Sequence, residues 1–269
     1  MALHLSLHTQ PDVPVEAEVL IPDRLIGLTP VEVATLPVMH GNTLATVGDF
    51  FGVADVGARA GVVIEGDLIR FKRIGEGMTQ GQLLIRGNVG MHVGAGMRGG
   101  ELVVAGNAGD WVGAEMKGGR IVITGHAGDL VGGMYRGGRK GMLGGEIIVH
   151  GHAGAEIGHG MRRGLIAVGG NSGDYTGAGA LAGTIIVLGE LGWRAGVGIK
   201  RGSIITMRPA QLLPTFNFDC SYRPTFVRMY LQHLRAAGLP ISALHLSGKY
   251  QRWSGDMVDV GRGEILILE

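Results

Sequence analysis

The chain has 269 residues, of which 45% are hydrophobic and 17% charged, and its formal net charge is +1. A balance this close to neutral argues against general nucleic-acid binding, which needs a strongly basic face, and the single cysteine, Cys220, excludes an intrachain disulfide or a cluster held by several thiolates. The sequence holds no run of about 18 apolar residues and begins without the basic segment of a signal peptide, so we expect a cytoplasmic protein with no membrane contact.

Residues 1–60 are predicted to form a small N-terminal cap. Residues 3–7 and 15–20 have the composition of short strands. Thr29 and Pro30 fit the start of a short helix, in which Glu32 completes a capping box with Thr29. A cap is expected here because the open end of a repeat structure invites edge-to-edge association.

The next segment is a repeat with the motif G-x-x-G-x-x-x-G. A fixed period of about 20 residues is typical of a solenoid. One step between copies is 26 residues instead of 19, so residues 132–145 carry a seven-residue insertion. The six copies begin at Gly87, Gly106, Gly125, Gly151, Gly170 and Gly189.

Each repeat contains a short β-branched run and two further apolar positions, which suggests three strands and three inward faces per turn. Nineteen residues are too few for a strand and a crossover helix, which need about 30. The coil itself must then form the parallel sheet, with glycines at corners that require positive φ or leave no room for a Cβ. We therefore predict an all-β fold in which residues 61–207 form a right-handed parallel β-helix of about 19 residues per turn.

Residues 208–269 are predicted to form a C-terminal extension with one helix and short strands. The helix is expected over residues 224–237, because Gly238 and Pro240 stop it. Phe226, Tyr230 and Leu234 recur at helical spacing, which indicates packing against the core rather than a ligand site. The last strand is expected over residues 264–269.

Polar residues recur at two positions of the repeat. His126 and His152 occupy the position that asparagine fills in other copies, which favours a hydrogen-bonding ladder over a metal site. Asp110, Asp129 and Asp174 recur three residues later, and they are expected to face water or line a groove. These residues do not form a recognisable catalytic arrangement, so we assign no catalytic, cofactor-binding or metal-binding residue to this chain.

Basic residues recur 17 positions after the glycine that opens each repeat unit. If the units stack, these side chains and their neighbours form a cationic row along one corner. Like charges on neighbouring turns repel, so we expect the row to meet an acidic partner surface or a polyanion; the alternative is a solvated row with carboxylates nearby. The cationic row comprises Arg98, Lys117, Arg136, Arg162, Arg163, Lys200 and Arg201.

The repeats resemble those of the C-terminal domain of the glutamate synthase large subunit and, more closely, those of the C subunit of formylmethanofuran dehydrogenase. Two flanking segments strengthen the second resemblance. One is Gly41-Asn-Thr-Leu-Ala-Thr-Val-Gly-Asp-Phe-Phe-Gly-Val, and the other runs from Leu213-Pro-Thr-Phe-Asn-Phe to Tyr222-Arg-Pro-Thr-Phe. The resemblance covers about residues 40–235.

The resemblance implies a non-catalytic scaffold that joins an amidohydrolase-like A subunit, a B subunit and a formyltransferase D subunit. In a bacterial formyltransferase/hydrolase complex, the formyl group passes from formyl-tetrahydromethanopterin to a methanofuran analogue and is released as formate, in the pathway of formaldehyde oxidation. The resemblance places zinc in a partner subunit and no cofactor on this chain. The polyglutamate tail of the methanofuran analogue is an anion that the cationic row can meet.

Two alternatives stay open. One is the C subunit of a tungsten or molybdenum formylmethanofuran dehydrogenase, and the other is a structural domain like that of glutamate synthase. The excess of arginine over lysine favours the bacterial formyltransferase/hydrolase complex. A β-helix enzyme acting on polysaccharides is disfavoured, because only 5% of the residues are aromatic.

Overall fold

The computed structural model describes residues 2–57 and 61–269, and its regular structure is dominated by β-strands. The prediction of an all-β chain is confirmed. The N-terminal elements are β1 (Ala2–Leu7), β2 (Val15–Glu16), α1 (Pro22–Leu25), α2 (Pro30–Ala34), β3 (Pro37–His40), β4 (Thr43–Thr46), a 3-10 turn (Val47–Asp49) and β5 (Phe51–Asp55). The repeat strands are β6 (Gly61–Glu65), β7 (Phe71–Lys72), β8 (Gln82–Arg86), β9 (Glu101–Ala105), β10 (Arg120–Ile123), β11 (Glu146–Val149), β12 (Leu165–Val168), β13 (Thr184–Val187) and β14 (Arg201–Thr206). The C-terminal elements are β15 (Asn217–Tyr222), α3 (Thr225–Ala236), α4 (Ala243–Ser247), β16 (Tyr250–Gly255) and β17 (Arg262–Leu268).

Successive repeats stack in register. In the described residues, a 13-stranded sheet runs in the order β15-β16-β17-β14-β13-β12-β11-β10-β9-β8-β6-β1-β5. Ile121 of β10 pairs in parallel with Leu102 of the preceding repeat and with Ile147 of the following one. We call each such turn a rung. The sheet as a whole is mixed, because β5, β15 and β16 pair antiparallel at its two ends.

Each rung from β8 to β13 contains one regular strand, and the expectation of three strands per turn is wrong in this respect. The second side of the rung makes a single parallel bridge to its neighbour, as between Ala108 and Ala127. The third side consists of turns around the last glycine of the motif. All three sides still point an apolar side chain inward, since Leu102, Val112 and Met116 are each fully buried.

The motif glycines serve two different purposes. A Cβ on Gly106, the first glycine of its copy, would overlap the backbone carbonyl of Gly87 on the preceding rung. Gly113, the third glycine of the same copy, has φ +59°, a conformation that side-chain-bearing residues adopt at a cost of about 1–2 kcal/mol. Close backbone approach and a left-handed turn are therefore both built into each copy, as the sequence predicted.

The core has two parts. The larger lies inside the coil, where branched and methionine side chains stack from rung to rung. The smaller lies on the outer face of β11–β14, where Val227, Leu231 and Leu234 of α3 pack against residues such as Ile148 and Ile186. The predicted residues of α3 do contact this core, with Leu234 fully buried and with Phe226 and Tyr230 half-buried at its edge. Helix α3 thus covers the later rungs of the sheet.

Both ends of the chain add strands to the ladder of repeats. Strand β1 pairs in parallel with β6, and β17 pairs in parallel with β14. The capping box of α2 is present, with the Thr29 amide donating to Glu32 Oε2 at 2.7 Å. Of the strand predicted at residues 15–20, only Val15–Glu16 forms, because Val19 and Leu20 turn into the core.

The predicted division into parts at residues 60 and 207 stays a prediction, and residues 58–60 lie outside the described residues. In the described part of the chain, none of the helices combines the length and apolar character needed to cross a membrane.

Candidate partner-binding surface

The first feature of the repeat surface is a row of asparagine and histidine side chains that bond to the backbone of the next rung. Asn107 Oδ1 accepts from the amide of His126 at 2.8 Å, and His126 Nδ1 accepts from the amide of His152 at 2.9 Å. The two imidazole rings stack at 5.0 Å with an interplanar angle of 6°. We call this the polar row, and it consists of Asn88, Asn107, His126, His152 and Asn171.

The polar row has the structural role that the sequence predicted. An imidazole Nδ1 that accepts an amide hydrogen uses its lone pair in that bond. Their Nδ1 lone pairs are therefore used within the fold.

The aspartates of the repeat also bond between rungs, while Asp129 and Asp174 stay exposed to water as expected. Asp129 Oδ1 accepts from the amide of Ala155 at 2.7 Å, and Asp174 Oδ1 accepts from the amide of Trp193 at 2.8 Å. Backbone amides at rung corners need such partners because the parallel ladder does not reach them. The repeated aspartates are thus explained by hydrogen bonding within the coil.

A third row consists of side-chain-bearing residues in the left-handed backbone conformation, and sequence reasoning missed it. Each lies two residues before the third glycine of its unit, with φ between 57° and 65°. Such conformations are uncommon outside glycine and asparagine. The residue types in this row vary, so the only sequence signal for it is the fixed spacing of these positions from the motif glycines. The row comprises Arg73, His92, Trp111, Leu130, Glu156, Tyr175 and Arg194.

The seven-residue insertion folds back over this left-handed row. Tyr135 stacks on Trp111 with ring centroids 4.9 Å apart, and its hydroxyl lies 3.0 Å from His92 Nδ1. Its amide donates to Glu115 Oε1 at 3.2 Å. Burial raises the pKa of Tyr135 to about 12, so the phenol keeps its proton and can donate it to His92.

The insertion also changes the register of the cationic row. The Met142 amide donates to Gly132 O at 2.8 Å, as the Met116 amide does to Gly113 O at 3.1 Å. The next residue, Leu143, therefore occupies the position of Lys117, and Arg136 lies within the insertion. The assignment of Arg136 to the cationic row is wrong, because the extra residues are inserted before the chain rejoins the ladder.

The cationic row is interrupted at a second rung as well. The amides of Arg162, Leu181 and Lys200 donate to successive rungs in the same way, so Leu181 separates the two basic residues. With rungs about 4.8 Å apart, Arg162 and Lys200 are separated by about 10 Å rather than 5 Å. At that distance repulsion between exposed charges is only about 0.4 kcal/mol, so mutual repulsion alone does not demand an anionic partner.

Four members of the cationic row do come together. Arg162, Arg163, Lys200 and Arg201 line one groove of about 750 Å³, together with Tyr230 of α3 and Val260 of the β16–β17 turn. Arg98 and Lys117 lie on earlier rungs, away from this groove. We call the space the basic groove.

The basic groove contains more positive than negative charge. Lys200 Nζ lies 3.2 Å from Asp259 Oδ2, which balances one cation. In the part of the chain that the structure describes, no carboxylate oxygen lies within 4.0 Å of a side-chain nitrogen of Arg162, Arg163 or Arg201. Three exposed guanidinium groups therefore face the solvent unpaired.

The two residues from outside the repeats were not anticipated as part of the site. Tyr230 was assigned to the core from its helical spacing, and Val260 carried no sequence signal at all. The sequence signal that points to a binding surface on α3 is Met229. This apolar residue lies on the face of α3 opposite Leu231 and Leu234, and it is 70% exposed.

Metal-binding groups are not gathered on this surface. Among residues 2–57 and 61–269, no cluster of three or more histidine, cysteine, aspartate or glutamate side chains has the arrangement needed for a metal ion. Cys220 is exposed on β15.

Comparisons with known proteins show which proteins this chain is similar to. No protein-family model matches it. It is 43% identical over 93 residues to the C subunit of tungsten-containing formylmethanofuran dehydrogenase 2 from Methanothermobacter thermautotrophicus, a match covering 33% of this chain and 34% of that protein. It is 37% identical over 86 residues to the C subunit of molybdenum-containing formylmethanofuran dehydrogenase 1 from Methanosarcina barkeri, covering 30% and 29% of the two chains. The matched segments thus span about a third of the length of these curated relatives.

A solved structure matches over nearly the whole chain. It is the crystal structure of the formyltransferase/hydrolase complex from Methylorubrum extorquens in complex with methylofuran. One of its chains superposes with a TM-score of 0.91 at 35% sequence identity, covering 98% of both chains. The chain therefore belongs to the family that includes the C subunits of formylmethanofuran dehydrogenase and of the formyltransferase/hydrolase complex.

Proposed function

We propose that the chain is the non-catalytic scaffold subunit of a formyltransferase/hydrolase complex. That complex would convert formyl-tetrahydromethanopterin to formate through a formylmethanofuran-type carrier, in formaldehyde oxidation. The observation that carries the proposal is the match over 98% of the chain to a component of such a complex. The match to the dehydrogenase subunits is limited to about a third of each chain.

The architecture supports a scaffold role. We propose that the rungs wind as a right-handed parallel β-helix, since connections between parallel strands of one sheet are right-handed in almost all proteins. The repeated asparagine, histidine and aspartate side chains bond to the backbone of adjacent rungs. Such a coil provides a stiff surface for other subunits, while its polar groups are engaged in holding it together.

The chemistry would then belong to the partner subunits. We propose an amidohydrolase-like A subunit that holds zinc, a B subunit and a formyltransferase D subunit, in the cytoplasm. A methanofuran analogue would carry the formyl group between their sites. The unpaired cations of the basic groove would meet an anion of this assembly, either an acidic surface of another polypeptide or the polyglutamate tail of the carrier.

The second candidate function is that of the C subunit of a tungsten or molybdenum formylmethanofuran dehydrogenase. It is favoured by the 43% identity over 93 residues to a component of a tungsten enzyme. In that case the partner subunits would hold a metallopterin centre and perform a redox reaction in place of hydrolysis.

A pull-down from the native host tests both functions. The tagged chain is purified at moderate salt, the bound subunits are identified by native mass spectrometry, and metals are measured in the same sample. Co-purification of a zinc-containing assembly without tungsten or molybdenum supports the first function, and tungsten or molybdenum supports the second. A chain that purifies alone, or that hydrolyses a formylated carrier by itself, overturns the scaffold proposal.

A further inference from the structure

The basic groove continues into a second, apolar groove along helix α3. This second groove has a volume of about 530 Å³ and is lined by Glu146, Leu165, Phe226, Met229, Tyr230 and His233. Tyr230 lines both grooves and forms the boundary between them. The surface therefore changes from guanidinium groups to apolar side chains within the width of one tyrosine.

The apolar side chains at this junction are unusually exposed. Met229 is 70% exposed and Val260 is 46% exposed. Beside Val260, Val258 at the tip of the β16–β17 turn is 81% exposed. Apolar groups gathered around a charged depression are typical of a protein-binding site, where methionine, aromatic residues and arginine are enriched.

The Glu146 and His233 side chains of the second groove already have partners within the chain. His233 Nε2 lies 2.6 Å from Glu146 Oε1, and Arg120 Nε lies 3.3 Å from Glu146 Oε2. A ligand that fills both grooves therefore needs negative groups at the basic end, and it needs apolar groups at the Met229 end. This pattern describes an amphipathic segment with carboxylates toward one end.

We infer that the two grooves together bind an acidic amphipathic segment of another subunit, with its carboxylates on Arg162, Arg163 and Arg201 and an apolar side chain on Met229 and Tyr230. This inference rests on the proposed function, because it requires a partner subunit. A polyglutamate chain has the charge but lacks apolar side chains, so it leaves the exposed Met229 and Val260 without a partner. A second copy of this chain would have to bring an acidic segment to a groove whose exposed charges are cationic.

The test uses the assembled complex and two variants of this chain. The triple variant Arg162→Glu, Arg163→Glu, Arg201→Glu reverses the three unpaired charges, and Met229→Ser removes the exposed apolar contact. The matched control is Arg98→Glu, Lys117→Glu, which reverses exposed cations on earlier rungs of the same ladder. Dissociation on dilution is followed by native mass spectrometry at low and high salt, and thermal unfolding of each isolated chain reports its folding.

We expect the triple variant to raise the apparent dissociation constant of the chain from the complex by about 100-fold or more at low salt. Met229→Ser should raise it by about 10-fold with little dependence on salt, and the control should leave it unchanged. If both variants stay in the complex as firmly as the wild type, the inference is overturned. If the triple variant assembles normally but no longer binds poly-L-glutamate, the groove binds a polyanion instead. A wild-type chain that fails to join any complex would overturn the proposed function itself, which separates the two failures.

Discussion

The polar row and the cationic row follow the same repeats but differ in what they contact. Each side chain of the polar row accepts a hydrogen bond from the next rung, as His126 does from His152 at 2.9 Å. The cationic row is interrupted by Leu143 and Leu181, and only four of its members meet in one groove. A polar residue that recurs on every rung is thus explained by stacking. A charge that recurs irregularly is not required by stacking and is free to serve binding.

A substitution at the backbone contact between two rungs tests most directly whether the rungs must stack closely. Gly106→Ala places a methyl group against the Gly87 carbonyl, so the two rungs must separate. We expect a loss of about 3 kcal/mol or more in the free energy of unfolding, measured by chemical denaturation. The matched control is Gly96→Ala, where φ is +62° but no atom of the described residues, apart from the two chain neighbours, lies within 4 Å of the added Cβ. That variant should lose only about 1–2 kcal/mol, and equal losses would argue against tight rung contact.

The polar row should show an intermediate effect. His126→Ala removes the acceptor of the His152 amide, and we expect a loss of about 1–2 kcal/mol in the free energy of unfolding. His126→Asn restores an acceptor that other rungs use at this position, so it should lie close to the wild type. The two variants are compared by denaturant unfolding, and a similar loss in both would mean that the imidazole stacking on His152 matters more than the hydrogen bond.

We expect the free energy of unfolding to depend slightly on pH through His92, which the insertion contacts. Burial and the nearby charge of Arg73 lower the pKa of His92 from its ordinary 6.5. The folded chain therefore binds this proton less readily than the unfolded chain does. The contribution of neutral His92 to the free energy of unfolding is fully present above pH 6.5. It is lost as the pH falls through the lowered pKa of His92 in the folded state. His92→Gln should flatten this part of the stability profile, measured by denaturation at several pH values, and an unchanged slope would exclude His92 as its source.

The smallest effect is expected in the cationic row away from the basic groove. Arg98→Gln with Lys117→Gln removes two exposed charges that make no ion pair among the described residues. The change in the free energy of unfolding should stay within about 0.5 kcal/mol. Thermal and chemical unfolding both measure it, and a larger loss would assign these cations a role in the fold.

Much of the fold could be predicted because the repeat is a local pattern. The 19-residue spacing of glycine and the branched residues between copies are enough to indicate stacked turns, and the shared position of asparagine and histidine indicates the ladder. The sequence overestimated the strands per turn, because buried apolar positions such as Val112 and Met116 lie in turns as readily as in strands. Sequence analysis also did not predict that Asp129 and Asp174 accept hydrogen bonds from backbone amides, because those amides lie on the next rung.

The candidate site could be predicted only in part. Its cations are visible in the sequence, but the seven-residue insertion hid the fact that Leu143, and not Arg136, follows Lys117 on the ladder. The pairing of Lys200 with Asp259 joins residues that are far apart in the chain. Helical periodicity assigned Tyr230 to the core, although it lies at the edge of the packed face.

The amino-acid sequence by itself determined the stacked coil, because each rung repeats the same short-range requirements of glycine corners and inward branched side chains. Only the tertiary structure decided which charges meet and what borders them. The basic groove exists because α3 and the β16–β17 turn pack beside rungs that lie much earlier in the chain. Contacts over such separations depend on how whole elements pack, and no local pattern of residues specifies them.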